Sequence, residues 1–520
     1  MGKPLQQDVR GFDRSISAKV RFIIPMKQGA ITRTCCIETL KHPLKISDTN
    51  SFACDRRDIT DINRMAAVPE IRRLPMSQPS GKLGTASVLS IGIGGMVGGG
   101  IFATTGLAVE LTRGAVPVAF IASGIVALLT SYSYLKLTLR YPTEGGTVEF
   151  LNRGFGTGIV TGAANILLCF SYVVLLAIYA YALGSYAASF FPTSQQDWWR
   201  HLFLSVTLIG LAVLNAVGGS YVIRSENALN LIKMVVLAAF VVVGLCLPIH
   251  WERLAPDQYV GPIAILSGAM IAFFNYEGFE LIANAAPEVK DPQRSLPVAY
   301  VGGVLLVMVL YVLIGIVAVG HMSFDEVAAV GDHALAAIAH QFMGPIGKIL
   351  MVFAAVLACG SAINATLYSS GRLTYIVART GELPRELERE IFGLHLEGMI
   401  VFAVLSLILA NFVPLGAIAT MGSAGFLLIF MAVNIANVRL AKETQSQAWI
   451  SILGALSCAG AVVVLCLKVD ENAATRNQLW ILVGMIAVSF AIEIVYRAVS
   501  GRSIRIRSRH SKTTEANPTS

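Results

Sequence analysis

The sequence predicts an all-α, polytopic membrane protein with twelve transmembrane helices. Of its 520 residues, 55% are hydrophobic and only 14% are charged, whereas soluble proteins carry about 25% charged residues. The mean hydropathy is +0.66. Apolar runs long enough to cross a bilayer core of about 30 Å recur along most of the chain. These observations exclude a water-soluble enzyme of two or three domains.

Twelve apolar runs follow one another from residue 84 onward, most of them near the roughly 20 residues that a transmembrane helix needs. They cover 84–111, 116–138, 159–190, 202–217, 228–247, 263–286, 299–319, 350–370, 399–412, 418–438, 449–467 and 479–496. The ninth run is short, and Pro414 separates it from the tenth. An even number of crossings places both chain ends on the same side.

Basic residues in the connections predict the orientation, because Lys and Arg are retained on the cytoplasmic side. If the N-terminus is internal, eighteen Lys and Arg residues lie inside and six lie outside. We therefore expect both termini in the cytoplasm and the body in the plasma membrane, which is the inner membrane of a bacterial cell.

The formal net charge of +8 is concentrated ahead of the first run. Residues 1–83 hold 15 Lys and Arg against 8 Asp and Glu, and the remainder holds 25 against 24. Composition predicts a disordered, basic cytoplasmic tail over 1–83, or an extension of a protein whose translation starts at Met65 or Met76. The nearly neutral body indicates no nucleic-acid surface.

The first run contains an unusual cluster of glycines. Residues 91–102 read IGIGGMVGGGIF, with three consecutive glycines at Gly98, Gly99 and Gly100. Each glycine in a helix costs up to about 1 kcal/mol relative to alanine, which favours an unwound stretch. Close helix packing is the alternative, since Gly94 and Gly98 have GxxxG spacing.

The sixth run carries polar groups at membrane depth. Residues 273–280 read FFNYEGFE, which places Asn275, Glu277 and Glu280 where polar groups are expensive unless they face protein or water. Gly278 allows the backbone to turn among them. If the segment is α-helical, the two glutamates do not fully share a face.

The two interrupted runs are five helices apart, which is the pattern of an inverted-repeat transporter. The predicted organisation is a first repeat over 84–247, a second over 263–438, two added helices over 449–496 and a basic cytoplasmic tail over 497–520. Helices broken at mid-membrane expose N–H groups at one half-helix end and C=O groups at the other. These ends fit the carboxylate and ammonium of an α-amino acid.

Several motifs, taken in order, resemble the amino acid, polyamine and organocation (APC) transporter family, in the form of a bacterial-type amino acid permease. The resemblance covers about residues 84–496. It rests on Gly98 to Phe102, on the FFNYEGFE segment, and on three connections, which read YPTEGG over 141–146, PEVKDPQR over 287–294 and GR through ARTGELP over 371–384. It implies the leucine-transporter type fold of two inverted five-helix repeats. Gly99 stands where the family often has Ser or Thr.

The resemblance also implies which residues bind substrate. The backbone that would hold the substrate carboxylate is supplied by Met96, Val97, Gly98, Gly99, Gly100 and Ile101. Carbonyls of an unwound part of helix six near Phe273 would receive the α-amino group. Phe274 stands where some members place an aromatic gate, and interhelical packing is the alternative for both phenylalanines. Asn275 and Gly278 complete this segment, with Tyr276 and Glu280 expected on the outer half of the site.

Lys233 and Glu280 are the candidates for proton coupling. In proton-coupled members of the family, a lysine at the position of Lys233 replaces a bound cation, touching carbonyls of helix one and a small polar group of helix eight, here Ser361. The alternative is that Lys233 extends its side chain to the cytoplasmic interface. Glu280 is favoured over Glu277 because the family often has an acidic residue there. Glu493 is expected at the interface, and Asn165 and Asn364 are pocket or packing residues.

The sequence thus predicts a secondary transporter of amino acids or related amines that works by alternating access, with proton symport preferred and uncoupled exchange as the alternative. A membrane-embedded enzyme would need a nucleophile with its base, or metal ligands, at membrane depth, and all eight histidines lie in tails, loops or helix ends. A channel would need a filter motif. We expect no cofactor and no metal, with the lipid bilayer, protons and a small substrate as partners of a monomer or homodimer.

Overall fold

The computed structural model describes residues 83–218, 226–383, 387, 395–471 and 476–500. Within these ranges the chain is helical, and the only β pairs are isolated bridges, Leu83 with Val289 and Arg113 with Tyr259. Several predictions lie outside the described residues. They are the tail over 1–82, residues 501–520, Pro384 of the GELP motif and the inside-facing Arg224, Arg385 and Arg389.

The helices up to residue 246 form the first group. They are α1 (Thr85–Met96), α2 (Gly100–Thr112), α3 (Val116–Arg140), α4 (Gly146–Phe155), α5 (Ile159–Ala188), α6 (Gln196–Gly218) and α7 (Glu226–Cys246). The second group contains two interruptions of α-helical geometry. It comprises α8 (Pro262–Phe273), a 3₁₀ helix (Phe274–Glu280), α9 (Leu281–Ala285), α10 (Pro292–Pro297), a π-helical turn (Val298–Gly302), α11 (Gly303–His321), α12 (Phe324–Val330), α13 (Ala334–Thr380), α14 (Leu396–Phe412) and α15 (Leu415–Arg439). The last helices are α16 (Ala441–Thr444), α17 (Ala448–Glu471) and α18 (Asn477–Ser500).

The predicted polytopic helical fold is confirmed. Among the described residues, ten helices are long and apolar enough to cross a membrane, and α1 with α2 makes a further span bent by 46°. α14 is a shorter apolar helix at the position of the short ninth run. Together they account for the twelve predicted spans. The protein is therefore a multi-pass membrane protein.

Some predicted boundaries change where polar residues belong to helix ends. α6 begins at Gln196, ahead of the predicted residue 202, because its first turns carry Asp197 and Arg200. α13 extends far beyond the predicted 350–370 because it merges two helices across a kink at Gly344, whose φ is 66° and which Pro345 follows. A positive φ suits glycine, which lacks the Cβ that makes this region unfavourable.

α5 lies at the centre of the described structure. Its apolar window is 94% buried, and it is buried on all faces, as is typical of a core helix. α6, α13, α15 and α18 pack around it. The side chain of Glu493, which was expected at the interface, is only 2% exposed and packs against Gly162 of α5. Its ion pair with Arg497 allows this burial.

Candidate functional site

The first span is broken where the glycine cluster predicted it. α1 ends at Met96 and α2 starts at Gly100. The first intrahelical hydrogen bond of α2 runs from Ala103 N to Gly99 O at 3.0 Å, so the N–H groups of the residues before Ala103 form an open helix end. That end carries a partial positive charge.

Close packing, the alternative reading of the glycines, also holds. A Cβ on Gly99 would lie 2.7 Å from Cδ1 of Tyr179 and 2.8 Å from Sγ of Cys359. A Cβ on Gly100 would lie 2.6 Å from Oδ1 of Asn275. The glycines therefore both interrupt the helix and admit neighbouring side chains to the backbone.

The sixth span is tightened rather than unwound. α8 ends at Phe273, and residues Phe274–Glu280 continue as a 3₁₀ helix, so the predicted unwound stretch near Phe273 is wrong. The N–H of Phe274 approaches the carbonyls of both Ile271 and Ala272. The change from i→i+4 to i→i+3 bonding redistributes the carbonyls at this junction.

The two interrupted segments touch directly. A Cβ on Gly278 would lie 2.1 Å from the carbonyl carbon of Gly95 and 2.3 Å from the nitrogen of Met96, so only glycine permits this approach. Thr104 Oγ1 donates to Oδ1 of Asn275 at 3.0 Å. The hydroxyl of Tyr311 donates to the carbonyl of Met96 at 2.7 Å and lies 3.3 Å from the carbonyl of Asn275.

The aromatic residues of the sixth span point in different directions. The ring of Phe274 lies 6.4 Å from the ring of Tyr179 and 6.4 Å from that of Phe426. Phe273 packs on Phe430. The hydroxyl of Tyr276 donates to the carbonyl of Phe120 at 2.9 Å, which directs this ring toward α3.

A cavity of about 350 Å³ lies beside the break of the two spans, toward the start of α1, and the predicted substrate-binding residues 96–101 and 273–276 are not among the residues that line it. Its wall includes Gly94, Gly95 and Gly278 from the interrupted segments. It extends to Leu83 and Glu288, which are also joined by a backbone hydrogen bond of 3.0 Å from Leu83 N to Glu288 O. The cavity therefore reaches the side of the membrane on which α1 begins.

Lys233 is buried next to the first span. Its side chain has no exposed surface, and Nζ donates to the carbonyl of Gly94 at 2.9 Å. The side chain does not extend to the interface, which contradicts the alternative reading. Ser361 lies in the cavity wall, where its hydroxyl donates to the carbonyl of Ala358 at 3.1 Å.

The two glutamates of the sixth span have different surroundings. Oε2 of Glu280 accepts hydrogen bonds from Thr147 at 3.2 Å and from Tyr134 at 3.4 Å. Neither carboxylate oxygen of Glu277 has a hydrogen-bond partner among the described residues. The expectation that Glu277 and Glu280 do not fully share a face assumed an α-helix. In a 3₁₀ helix, side chains three residues apart lie on the same face.

Glu280 does not lie on the outer half of the site, as was expected, whereas the hydroxyl of Tyr276 reaches the carbonyl of Phe120 near the start of α3. Glu280 leads into α9, which packs against α1, with Ile282 beside Gly92. The expectation was wrong because the sixth span crosses in the opposite direction to the first. Residues after its break therefore share a side with the start of the chain's first span.

The sequence did not predict several of the residues that line the cavity, and it did not decide the role of two others. Tyr172 and Tyr179 of α5 and Asn215 of α6 line the cavity, and Nδ2 of Asn215 donates to Oδ1 of Asn364 at 2.7 Å. Asn364 is thus a cavity residue. Asn165 is not in the cavity wall, because its amide donates to both oxygens of Glu382 at 3.0 and 2.9 Å. The only signal in the sequence was a polar residue within an apolar run.

Comparison of the sequence with known proteins identifies the family of this chain. Residues 83–490 match the family model described as amino acid permease. The chain is 32% identical to the inner membrane transport protein YbaT of Escherichia coli over 80% of this chain and 96% of the relative. It is 31% identical to protein MJ0609 of Methanocaldococcus jannaschii, over 81% and 97% of the two chains. It is 22% identical to the branched-chain amino acid permease BcaP of Bacillus subtilis, over 78% and 91%. The chain therefore belongs to the amino acid permease family and is a transporter, not an enzyme.

Proposed function

We propose that this permease moves α-amino acids or related amines across the membrane by alternating access, as a proton-coupled symporter. The observation that carries the proposal is the contact of two interrupted spans around one cavity. Gly95 of the first span and Gly278 of the sixth meet at the cavity wall. The inner-membrane relative from E. coli supports a bacterial inner-membrane location, and the excess of basic residues in the predicted inside connections supports cytoplasmic termini.

The open end of α2 suits the substrate carboxylate. Its N–H groups at Gly100 and Ile101 precede the first intrahelical bond, and a helix N-terminus attracts anions. Met96, Val97, Gly98 and Gly99 form the backbone that leads into this end. The carbonyls at the end of α8, near Phe273 and Phe274, would receive the α-ammonium, while Asn275 and Tyr276 hold the 3₁₀ segment in place.

Lys233 supports coupling to protons. Its ammonium lies 2.9 Å from the Gly94 carbonyl, two residues before the end of α1, so loss of its proton would remove a positive charge from the first span. Burial disfavours the charged form of an amine. Ser361 and Glu280 lie in the same cavity wall and complete the proposed coupling group.

The cavity reaches the side on which α1 begins, which is the cytoplasmic side in the predicted orientation. On the opposite side, Tyr186 closes over the first span, because its hydroxyl donates to the carbonyl of Phe102 at 3.1 Å. Arg200 Nη1 lies 3.8 Å from Asp332 Oδ2 nearby. We therefore assign this conformation to the inward-facing state of the cycle.

Counterflow in proteoliposomes tests the proposal. Vesicles loaded with an unlabelled amino acid mixture should accumulate external labelled amino acid, and an inward-acid pH gradient should change net uptake. Exchange that does not respond to the gradient would favour the uncoupled exchanger instead. If no amino acid or amine exchanges while the protein remains monodisperse, the proposed substrate class is wrong.

A further inference from the structure

The carboxylate of Glu277 has no hydrogen-bond or ion-pair partner among the residues that the structure describes. Its side chain lines the cavity and is only 2% exposed. Both of its oxygens lack hydrogen-bond partners among the described residues. A buried, ionised carboxylate without a partner is unfavourable by several kcal/mol, so a cationic ligand in this cavity would stabilise the charged form of Glu277.

Glu280 shows that a carboxylate in this segment can be satisfied by the protein. Thr147 and Tyr134 donate to Glu280, and Tyr172 lies beside it. The ionisable groups that interact electrostatically with Glu277 are Glu280, Tyr179 and Tyr172. Each of these is acidic or neutral, so the surroundings of Glu277 favour an incoming cation over a neutral group.

Acidic groups outnumber basic groups in the cavity wall. Three carboxylates line it, at Glu277, Glu280 and Glu288. The basic residue of the wall is Arg372, whose guanidinium forms an ion pair with Glu144. A cleft lined by one sign of charge with low-dielectric walls concentrates ions of the opposite sign. The path from the cavity mouth to the break is therefore suited to cations.

The distance between the proposed α-ammonium site and Glu277 matches a long side chain. Glu277 lies four positions after Phe273, and four residues of 3₁₀ helix rise about 8 Å. The side chain of lysine carries its charge at the end of a four-carbon stem, and that of arginine ends in a planar fork that pairs with both oxygens of a carboxylate.

We propose that Glu277 recognises a cationic group at the end of the substrate side chain, and that the substrate class is the α-amino acids with a positively charged side chain. This inference rests on the proposed function, because it takes the α-ammonium to lie near Phe273. The zwitterionic head then occupies the break of the two spans, and the side chain runs along the 3₁₀ segment toward the cytoplasmic mouth.

Competition in wild-type proteoliposomes tests the proposal without a variant. L-arginine and L-citrulline have nearly the same shape, but citrulline has a neutral urea in place of the guanidinium. A buried charge that loses its partner discriminates strongly, so arginine should inhibit labelled arginine uptake at a concentration at least about tenfold lower than citrulline does. Equal inhibition by the two compounds would overturn the inference.

Glu277→Gln supplies the second test. This change should lower the kcat/KM for arginine at least about tenfold and reduce the preference for arginine over citrulline, whereas Glu277→Asp should retain the preference. Glu110→Gln is the matched control, since Glu110 is exposed on α2 and its change should leave both substrates unaffected. Unchanged arginine preference in folded Glu277→Gln protein would also overturn the inference.

The outcomes separate this inference from the function on which it rests. If wild-type protein exchanges neutral amino acids such as leucine but neither arginine nor lysine, the transport function stands and the role of Glu277 is refuted. If it exchanges no amino acid of any charge, the proposed function fails and the inference fails with it. Gel filtration of each purified variant confirms that the measured protein is folded.

Discussion

A single ammonium, that of Lys233, is held against the backbone of the first span. The hydrogen bond from Nζ to the Gly94 carbonyl measures 2.9 Å, and the side chain has no exposed surface. The positive charge of this ammonium therefore lies directly against the interrupted span. Under the proposed mechanism, this is the residue whose replacement separates transport from coupling.

We predict that Lys233→Met abolishes the response of uptake to an imposed pH gradient. The methionine keeps much of the volume but has no proton to exchange. Uptake of labelled substrate into proteoliposomes, with and without the gradient, measures the effect.

Lys348→Met is the matched control for this change. Nζ of Lys348 also donates to a backbone carbonyl at 2.7 Å, but that carbonyl belongs to Ser189, at the end of α5, and not to the first span. Its replacement should leave the gradient response intact. A Lys233→Met protein with the wild-type rate and pH profile would refute the coupling role.

At the scale of elements, the contact between α1 and the 3₁₀ helix depends on the absence of a side chain. The backbone of Gly278 lies very close to the backbone of Gly95 and Met96. A Cβ on Gly278 would lie within 2.5 Å of three backbone atoms of these two residues. Backbone atoms cannot turn aside as the end of a flexible side chain can. The two interrupted spans must therefore separate if any side chain is introduced.

We predict that Gly278→Ala destabilises the fold by about 1–3 kcal/mol or more through overpacking. The midpoint of thermal unfolding of detergent-solubilised protein measures the effect, and counterflow should fall in parallel because the cavity wall is displaced.

Gly460→Ala is the control for the glycine substitution. No atom lies within 4 Å of a Cβ built on Gly460, and alanine is the better helix former. This variant should be as stable as the wild type or slightly more stable. A midpoint for Gly278→Ala equal to that of Gly460→Ala would show that the two spans do not need their close contact.

At the scale of the whole molecule, a buried carboxylate links the end of α13 to α5. Glu382 follows α13 and has no exposed surface, and Asn165 of α5 donates to both of its oxygens. Burial raises the pKa of Glu382 to about 8, with the Asn165 hydrogen bond opposing this shift and Glu493 adding to it. Arg497 opposes it weakly.

This pKa predicts that the protein is more stable in acid than in mild base. The folded state holds the Glu382 proton more tightly than the unfolded chain, whose ordinary pKa is 4.5. The contribution to stability is therefore full below that value and is lost as the pH rises through about 8. The thermal midpoint of the wild type should fall between pH 5 and pH 9, and Glu382→Gln should flatten this dependence.

Glu252→Gln provides the comparison for the pH series. Glu252 is exposed in a short 3₁₀ helix, Trp251–Leu254, and its own backbone N–H and the hydrogen bond with His250 lower its pKa from the ordinary value. It titrates below the window in question, so its replacement should leave the slope between pH 5 and pH 9 unchanged. A slope for Glu382→Gln identical to that of the wild type would refute the assignment.

The predicted spans succeeded because membrane depth imposes a long apolar run on every crossing helix. The glycine cluster likewise predicted the break before Gly100, since three consecutive glycines disfavour a helix through their own backbone entropy. The prediction of an unwound stretch in the sixth span was wrong. The local sequence did not reveal the 3₁₀ helix, because α and 3₁₀ helices differ little in the residues that they favour. The contact of Gly278 with Gly95, which is remote in sequence, decides between them.

By itself, the sequence determined the membrane class, the spans and the first break, because each follows from local composition and spacing. Only the tertiary structure decided which polar groups meet. It joined Asn165 to Glu382 rather than to the cavity, turned Tyr276 toward α3, and left Glu277 without a partner while it satisfied Glu280. The contacts between these side chains are made by residues far apart in the sequence. A single sequence has no local pattern that shows which distant residues will meet.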